Sequence, residues 1–103
     1  MILEVARITV AAGMEATFEK AVGEAAPLFE RARGCRSMTL RRSVEEPACY
    51  VLMVEWNTLE DHTVHFRESD DFQTWRKLVG HCLAEPPDVE HLSVTGRYFG
   101  GEA

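Results

Sequence analysis

The sequence predicts an α+β fold in which four strands and two helical regions follow one another as β-α-β-β-α-β. Three observations lead to this prediction: apolar, β-branched segments bounded by turn residues, one long segment of helical periodicity, and a strand that is apolar on both faces. A chain of 103 residues has the size of one domain. We place that domain at residues 1–99 and expect residues 100–103 to form a flexible tail.

The first part of the chain predicts a strand followed by a long helix. Residues 2–10 are rich in β-branched and apolar side chains, which is typical of a strand. Apolar residues then recur at three- and four-residue steps over residues 14–33, as on one face of a helix. Gly34 suits the end of this helix, because glycine readily adopts the left-handed conformation that follows helices.

A hairpin is predicted next, with strands at residues 36–43 and 48–56 joined by a turn at residues 44–47. Its second strand is apolar on both faces, since Cys49, Val51 and Met53 alternate with Tyr50, Leu52, Val54 and Trp56. A strand of this kind is covered on both faces. The chain's own helices can cover one face, so we expect a second subunit to cover the other.

The second helical region and the last strand complete the order. Thr58 suits the start of one helix and Ser69 the start of another. Residues 85–88 turn the chain, and residues 89–98 are predicted as the last strand. The order is the ferredoxin-like split arrangement, an antiparallel sheet with helices on one face. We expect its other face to be buried in a homodimer.

Net charge and composition exclude several classes of protein. The chain has 11 basic and 17 acidic residues, hence a net charge of −6, whereas nucleic-acid binding requires a basic surface. No apolar run reaches the length of a membrane span, and the first residues do not form a signal peptide. The three cysteines have no paired spacing, so we expect reduced thiols and a cytoplasmic protein.

Residues 55–75 carry the candidate site. His62 and His65 stand three positions apart on the predicted helix, so both imidazoles are expected on one helix face. The aromatic side chains around them can line a pocket, or they can simply pack in the core, and the histidines can be half-buried structural residues. His81 and His91 are expected at the surface or at a strand edge.

A metal site in this segment would require His62, His65 and Glu55 to converge. Two imidazoles and a carboxylate can bind zinc with an open coordination position. Metal-binding histidines on a helix more often stand four positions apart, and this pair has no firm third ligand. We therefore predict no metal and keep Glu55, which ends a buried strand, as an alternative base.

These residues, in this order, resemble the antibiotic biosynthesis monooxygenase (ABM) family of the dimeric α+β barrel superfamily. The resemblance spans about residues 3–98 and rests chiefly on Glu55 and Trp56 followed by His62, His65, Ser69, Phe72 and Trp75. In that family a strand-end tryptophan, a helix histidine, and a downstream serine and phenylalanine recur in this order. The resemblance implies two subunits that pair their sheets into a dimeric α+β barrel, each with a pocket between its helices and its sheet.

The resemblance also implies a cofactor-independent monooxygenase that acts on a small aromatic phenol or quinol, with dioxygen as co-substrate. His65 is the first candidate for the base that deprotonates the substrate, and His62 is the second. The substrate-binding candidates are Trp56, Tyr50, Phe66, Phe72, Trp75 and Glu55. Two alternatives stay open: a non-catalytic small-molecule-binding dimeric domain, and an isomerase that uses the same pocket.

The haem-degrading members of the family differ from this chain. They use an asparagine on the first strand, a tryptophan on the second helix and a histidine ligand on the third. The corresponding positions here are Ala6, Phe66 and Arg76. Since all three functional groups are missing, the resemblance implies no haem ligation, and no cofactor is predicted.

Overall fold

The computed structural model describes residues 1–100, and the order of its elements confirms the predicted α+β class. The elements are β1 (Ile2–Thr9), α1 (Glu15–Glu30), β2 (Cys35–Arg42), β3 (Cys49–Trp56), a π-helical turn (Asp61–Phe66), α2 (Asp70–Val79), a short 3-10 turn (Gly80–Cys82) and β4 (Asp88–Leu92). The second helical region is divided in two, as predicted, and Ser69 begins α2. Its hydroxyl accepts a hydrogen bond from the Phe72 amide at 3.1 Å.

The four strands form one antiparallel sheet in the order β2-β3-β1-β4. β1 is therefore paired on both sides, with β3 on one side and β4 on the other. The register places Glu4 of β1 opposite Val54 of β3 and opposite His91 of β4. Because side chains directly opposite each other in a sheet lie on the same face, these three side chains share one face.

Both helices pack on that face and build the core with it. α1 contributes Phe18, Ala25 and Phe29, and β3 contributes Leu52 and Trp56, all of them almost fully buried. Removing aromatic and aliphatic side chains of this size from water is the main stabilising contribution of such a core. The candidate site lies in the space between the sheet and α2.

The opposite face of the sheet carries the remaining side chains of β3. Val51, Met53 and Glu55 alternate with the buried residues and are half-buried, and Val5 of β1 pairs with Met53. The helices of the described residues pack against the other face. The covering of this face by a second subunit therefore stays a prediction.

The last strand is shorter than predicted, because it ends at Leu92 and not at residue 98. Leu92 pairs with Leu3, so only the first two residues of the chain remain beyond that point for β4 to pair with. The predicted tail, residues 100–103, lies outside the described residues except for Gly100. No helix within residues 1–100 is both long enough and apolar enough to cross a membrane.

Gly34 follows α1 at a position that only glycine fits. Its φ is +77°, and a Cβ at this position would overlap the side chain of Asp61. Asp61 is buried and lies 3.5 Å from the Nε of Arg33. This close approach fixes the beginning of the π-helical turn, and with it the position of the residue that follows Asp61, His62.

Candidate active site

His62 and His65 lie in different environments on the π-helical turn, so the prediction of a shared face is wrong. His62 is 3% exposed, whereas His65 is exposed to solvent. The amide of Arg67 donates to the carbonyl of His62, five residues earlier, at 3.2 Å. Because this spacing winds the chain more widely than an α-helix, the residue four positions on lies nearest the face of His62. That residue, Phe66, is buried.

Glu4 is the acidic partner of His62. It lies on the helix-facing side of β1 and is 5% exposed. The indole Nε1 of Trp56 donates to Glu4 Oε1 at 3.0 Å, and His62 Nε2 is 3.3 Å from the same oxygen. The rings of Trp56 and His62 stack with their centroids 5.2 Å apart. Trp56 thus positions both members of the carboxylate–imidazole pair.

His91 extends this pair towards the edge of the sheet. Its Nε2 is 2.8 Å from His62 Nδ1, and it is half-buried on the edge strand β4. Two arrangements of the protons satisfy the hydrogen bonds that run from Glu4 through His62 to His91. A protonated Glu4 can donate to His62, which then donates from Nδ1 to His91; alternatively, His91 donates to His62, which donates to the Glu4 carboxylate. Interconverting the two moves one proton between Glu4 and the outer side of His91.

Burial governs the protonation of the pair. It raises the pKa of Glu4 to about 7, although the Trp56 indole and the charge of Arg67 oppose this. It lowers the pKa of His62 to about 4, with the positive charge of Arg67 and His91 acting in the same direction. Near neutral pH His62 is therefore an uncharged base, and the pair takes up one proton as the pH falls through about 7.

Glu4 and His62 line an open cavity of about 950 Å³ between the sheet and α2. Pockets that hold small molecules commonly have volumes of about 300–1,000 Å³. Phe72 and Val79 of α2 and Val89 of β4 give the cavity an apolar wall. The segment between α2 and β4 completes it with Gly80, Leu83, Glu85, Pro86 and Pro87. An acid–base pair and apolar surface therefore face the same space.

Three of the predicted substrate-binding side chains lie at or beneath this cavity. Phe72 lines it directly. Trp56 and Phe66 are buried in the core, with ring centroids 5.4 Å apart, and they are not among the lining residues. Their contacts place them under His62, where they support the imidazole.

The other three lie away from the cavity. Tyr50 is buried near the opposite end of β3, where its hydroxyl donates to Glu19 at 2.6 Å. Trp75 makes a T-shaped contact with Phe29 of α1, their ring centroids 5.0 Å apart. Glu55 accepts a hydrogen bond from Ser37 at 2.7 Å, on the sheet face opposite the helices. Alternation along β3 separates Glu55 from the face that carries the acid–base pair.

The candidate metal ligands are not brought together. Glu55 lies on the far face of the sheet and His65 is exposed, while His62 is buried between sheet and helix. Within residues 1–100, no group of three or more His, Cys, Asp and Glu side chains is arranged to hold a metal ion.

Sequence reasoning missed Glu4 and did not connect His91 to the site. The available signal for Glu4 was its position in β1, where it lies on the same face as the apolar Ile2, Ala6 and Ile8, the face that packs against the helices. A carboxylate at a core-facing position of a strand is unusual and indicates a specific partner. His91 had no comparable signal, because its partner depends on the register between β4 and β1.

The comparisons with known proteins agree with this architecture. The sequence profile of the antibiotic biosynthesis monooxygenase family matches residues 1–78. A protein of Bordetella bronchiseptica that carries the family's name is 54% identical in sequence, covers 91% of this chain and 96% of its own, and superposes with a TM-score of 0.90. An uncharacterised Bacillus subtilis protein, YczJ, is 40% identical over 92 residues, which is 89% of this chain and 97% of that protein.

A solved structure of lower sequence identity has the same fold. SnoaB, a cofactor-independent oxygenase from Streptomyces nogalater, has a TM-score of 0.81 at 20% identity, with 94% of this chain and 95% of SnoaB covered. The agreement confirms the predicted ferredoxin-like α+β fold.

Proposed function

Because the chain belongs to the antibiotic biosynthesis monooxygenase family, we propose that it is a cofactor-independent monooxygenase of a small aromatic phenol or quinol. Dioxygen is the co-substrate in this proposal. The observation that carries it is the buried Glu4–His62 pair in the wall of a cavity that also presents apolar side chains. The pair supplies a base, and the apolar part of the wall offers a surface on which an aromatic ring can pack.

The reaction balances without a cofactor. A quinol that reacts with dioxygen to give a hydroxyquinone and water contributes all the electrons itself. The base removes a phenolic proton, and the resulting anion passes an electron to dioxygen. The two radicals join at a ring carbon, and the peroxide anion takes back the proton. Loss of water, whose hydrogens are the peroxide proton and the ring proton, leaves a carbonyl.

We assign the base to the Glu4–His62 pair, in which Glu4 meets the substrate and His62 lies behind it. Nε2 of His62 faces Glu4 and Nδ1 faces His91, so the phenolic proton enters the pair at the Glu4 carboxylate, which also lines the cavity. His91, 2.8 Å from Nδ1, offers an exchange route for the proton. His65, the first candidate from the sequence, is exposed and does not line the cavity, so it becomes the second candidate here.

The proposal includes the homodimer. Val51 and Met53 leave the sheet face opposite the helices partly apolar, and a second copy pairing there would cover it. Light scattering is expected to give twice the chain mass of 11.6 kDa. Met53→Glu is expected to yield monomers, whereas Val44→Glu, in an exposed turn, is expected to leave the dimer intact. The three free cysteines are consistent with a cytoplasmic location.

The test is dioxygen uptake by the protein against a panel of hydroquinones and polycyclic phenols, with EDTA present. Monooxygenation consumes one dioxygen per quinol and releases water, so added catalase returns no dioxygen. Plain quinol oxidation releases hydrogen peroxide, and catalase then returns half of the dioxygen. Incorporation of labelled oxygen into the product is the second readout.

Two histidine variants test the part of His62 in proton transfer. His62→Gln is expected to lower turnover by about 10²–10⁴-fold, the usual effect of removing a general base. His65→Gln, the matched control from the same π-helical turn, is expected to leave turnover almost unchanged. Equal turnover in both variants would remove His62 from the mechanism. Glu4→Gln, of nearly identical shape, is the second variant should His62→Gln fail to fold.

An isomerase is the second candidate function, because the Glu4–His62 pair can also remove and return a proton at a carbonyl substrate. Absence of dioxygen uptake across the panel, together with deuterium exchange into bound ketones, would favour it. Absence of both reactions would favour a non-catalytic binder.

A further inference from the structure

Three cations line the candidate cavity of a protein whose net charge is −6. Arg67 follows the π-helical turn, and Arg76 and Lys77 lie in the last turn of α2. Together with Gln73 and Gly80 of the cavity wall, Arg76 and Lys77 recur at helical spacing, so they share the face of α2 that borders the cavity. The carboxylates that also line this space are Glu4 and Glu85.

These three cations are not held in salt bridges. Within the described part of the chain, neither Arg67, Arg76 nor Lys77 has a carboxylate within 4.0 Å. Elsewhere on the molecule five basic residues are paired with carboxylates, namely Arg7, Lys20, Arg31, Arg33 and Arg42. The cavity cations are therefore free to bind a ligand.

The cations stand next to the aromatic part of the cavity. The guanidinium of Arg76 lies 5.9 Å from the centroid of the Phe72 ring, within cation–π distance. Arg67 is close enough to the acid–base pair for its charge to act on both Glu4 and His62. An aromatic ring packed on Phe72 and directed towards His62 would thus have cations within reach of its substituents.

We propose that the substrate is a phenol or quinol whose ring bears an anionic substituent, a carboxylate or a phosphate, bound by Arg67, Arg76 and Lys77. Guanidinium groups bind both anions through paired hydrogen bonds, and lysine contributes a point charge. The negative net charge repels anions from most of the protein surface. The positive charges in the cavity wall attract anions there, so they favour a negatively charged ring over a neutral one. This inference rests on the proposed function for the reaction but concerns binding alone.

The test is calorimetric titration under argon, where no oxygenation occurs. The three probes are hydroquinone, a para-dihydroxybenzoate and hydroquinone monophosphate, which share one ring and differ in charge. At least one anionic probe is expected to bind about tenfold more tightly than hydroquinone, and the two anionic arms identify the preferred group. Raising the salt from about 0.01 M to about 1 M is expected to remove most of that preference.

Charge variants locate the site. We expect each of the variants Arg67→Gln, Arg76→Gln and Lys77→Gln to lower the affinity for the preferred anionic probe by about 3–10-fold. The affinity for hydroquinone is expected to stay unchanged. Arg97→Gln, which removes an exposed cation outside the cavity, is the matched control and is expected to change neither. The inference would be overturned if all three probes bound with equal affinity, or if no probe bound. It would also be overturned if the variants lost equal affinity for charged and neutral probes.

The two proposals fail separately. An anion preference without dioxygen uptake would leave the binding site in place and refute the oxygenase. Oxygenation of neutral quinols with no anion preference would leave the oxygenase in place and refute the anionic substrate.

Discussion

Glu4→Gln perturbs the buried pair with almost no change of shape. Glutamine retains the oxygen that accepts the Trp56 indole N–H at 3.0 Å, but it cannot ionise. Any effect of the substitution that depends on pH between 4 and 8 therefore reports the titration of the Glu4 carboxyl.

The pKa of Glu4 gives the sign and size of that effect. Below pH 4.5 the carboxyl is protonated in both the folded and the unfolded chain, so its burial has no electrostatic cost. As the pH rises, the unfolded chain ionises first, and the cost grows until the pH passes the folded pKa of about 7. Raising a pKa from 4.5 to about 7 corresponds to about 3 kcal/mol. The free energy of unfolding of Glu4→Gln, relative to that of the native protein, should therefore rise by up to about 3 kcal/mol between pH 4.5 and pH 8.

His62 makes the stability of the native protein change with pH in the opposite direction. Its pKa is lowered from 6.5 to about 4, so its contribution to stability is present above pH 6.5 and is lost as the pH falls through about 4. In the native protein the two slopes largely cancel between about pH 4.5 and pH 6.5. Glu4→Gln removes one of them, so the stability of the variant should rise with pH over this interval.

The assay is urea unfolding followed by tryptophan fluorescence, at one fixed protein concentration because dimer formation would add to the apparent stability. The matched control is Glu55→Gln, which removes a carboxylate from the opposite face of the same sheet. A stability difference between Glu4→Gln and the native protein that stays constant from pH 4.5 to pH 8 would refute the argument, because it would mean that the buried carboxyl titrates in its ordinary range.

Three further outcomes are expected. Gly34→Ala should destabilise the fold by about 3 kcal/mol, against about 1 kcal/mol for Gly13→Ala, because both have positive φ but only the first would overlap Asp61; equal losses in urea unfolding would contradict this. Ser69→Ala should lose about 1 kcal/mol with the N-cap of α2, and retained stability would show that the cap contributes nothing. Turnover should rise with pH through about 7, as Glu4 ionises, and a profile that is already flat from pH 5 would separate Glu4 from the base.

The fold class could be predicted because the strands are short apolar or alternating segments bounded by turn residues, and because α1 follows a simple periodicity. The predicted bounds of β1, β2 and β3 differ from the observed ones by a residue or so, and Ser69 begins α2 as expected. β4 was predicted too long because alternation continues past Leu92, whereas Leu92 pairs with Leu3 and β1 extends only one residue beyond Leu3, to Ile2. Alternation records which side chains suit a strand, and pairing decides how much of the strand forms.

The candidate site was predicted only in part, for two physical reasons. The face shared by His62 and His65 depends on how tightly the turn is wound, and an i to i+5 hydrogen bond is not encoded in residue spacing. The partners of His62 are remote in sequence: Glu4 is on the first strand and His91 on the last. They meet because β1 pairs with β4 and His62 of the π-helical turn contacts a residue of each strand. Local patterns cannot supply such contacts.

The burial of Glu4 and His62 bears on the role of this pair in the protein. A carboxylate and an imidazole buried together cost stability, and apolar residues of similar volume are often neutral or stabilising at such positions. The Trp56 hydrogen bond reduces the cost but does not remove it, since burial still raises the pKa of Glu4 to about 7. A purely structural role predicts that Glu4→Gln lowers stability at pH 8 and leaves turnover unchanged. A role in proton transfer predicts the reverse, a more stable protein that turns over slowly. Unfolding and dioxygen uptake measured on this one variant therefore decide between the two roles.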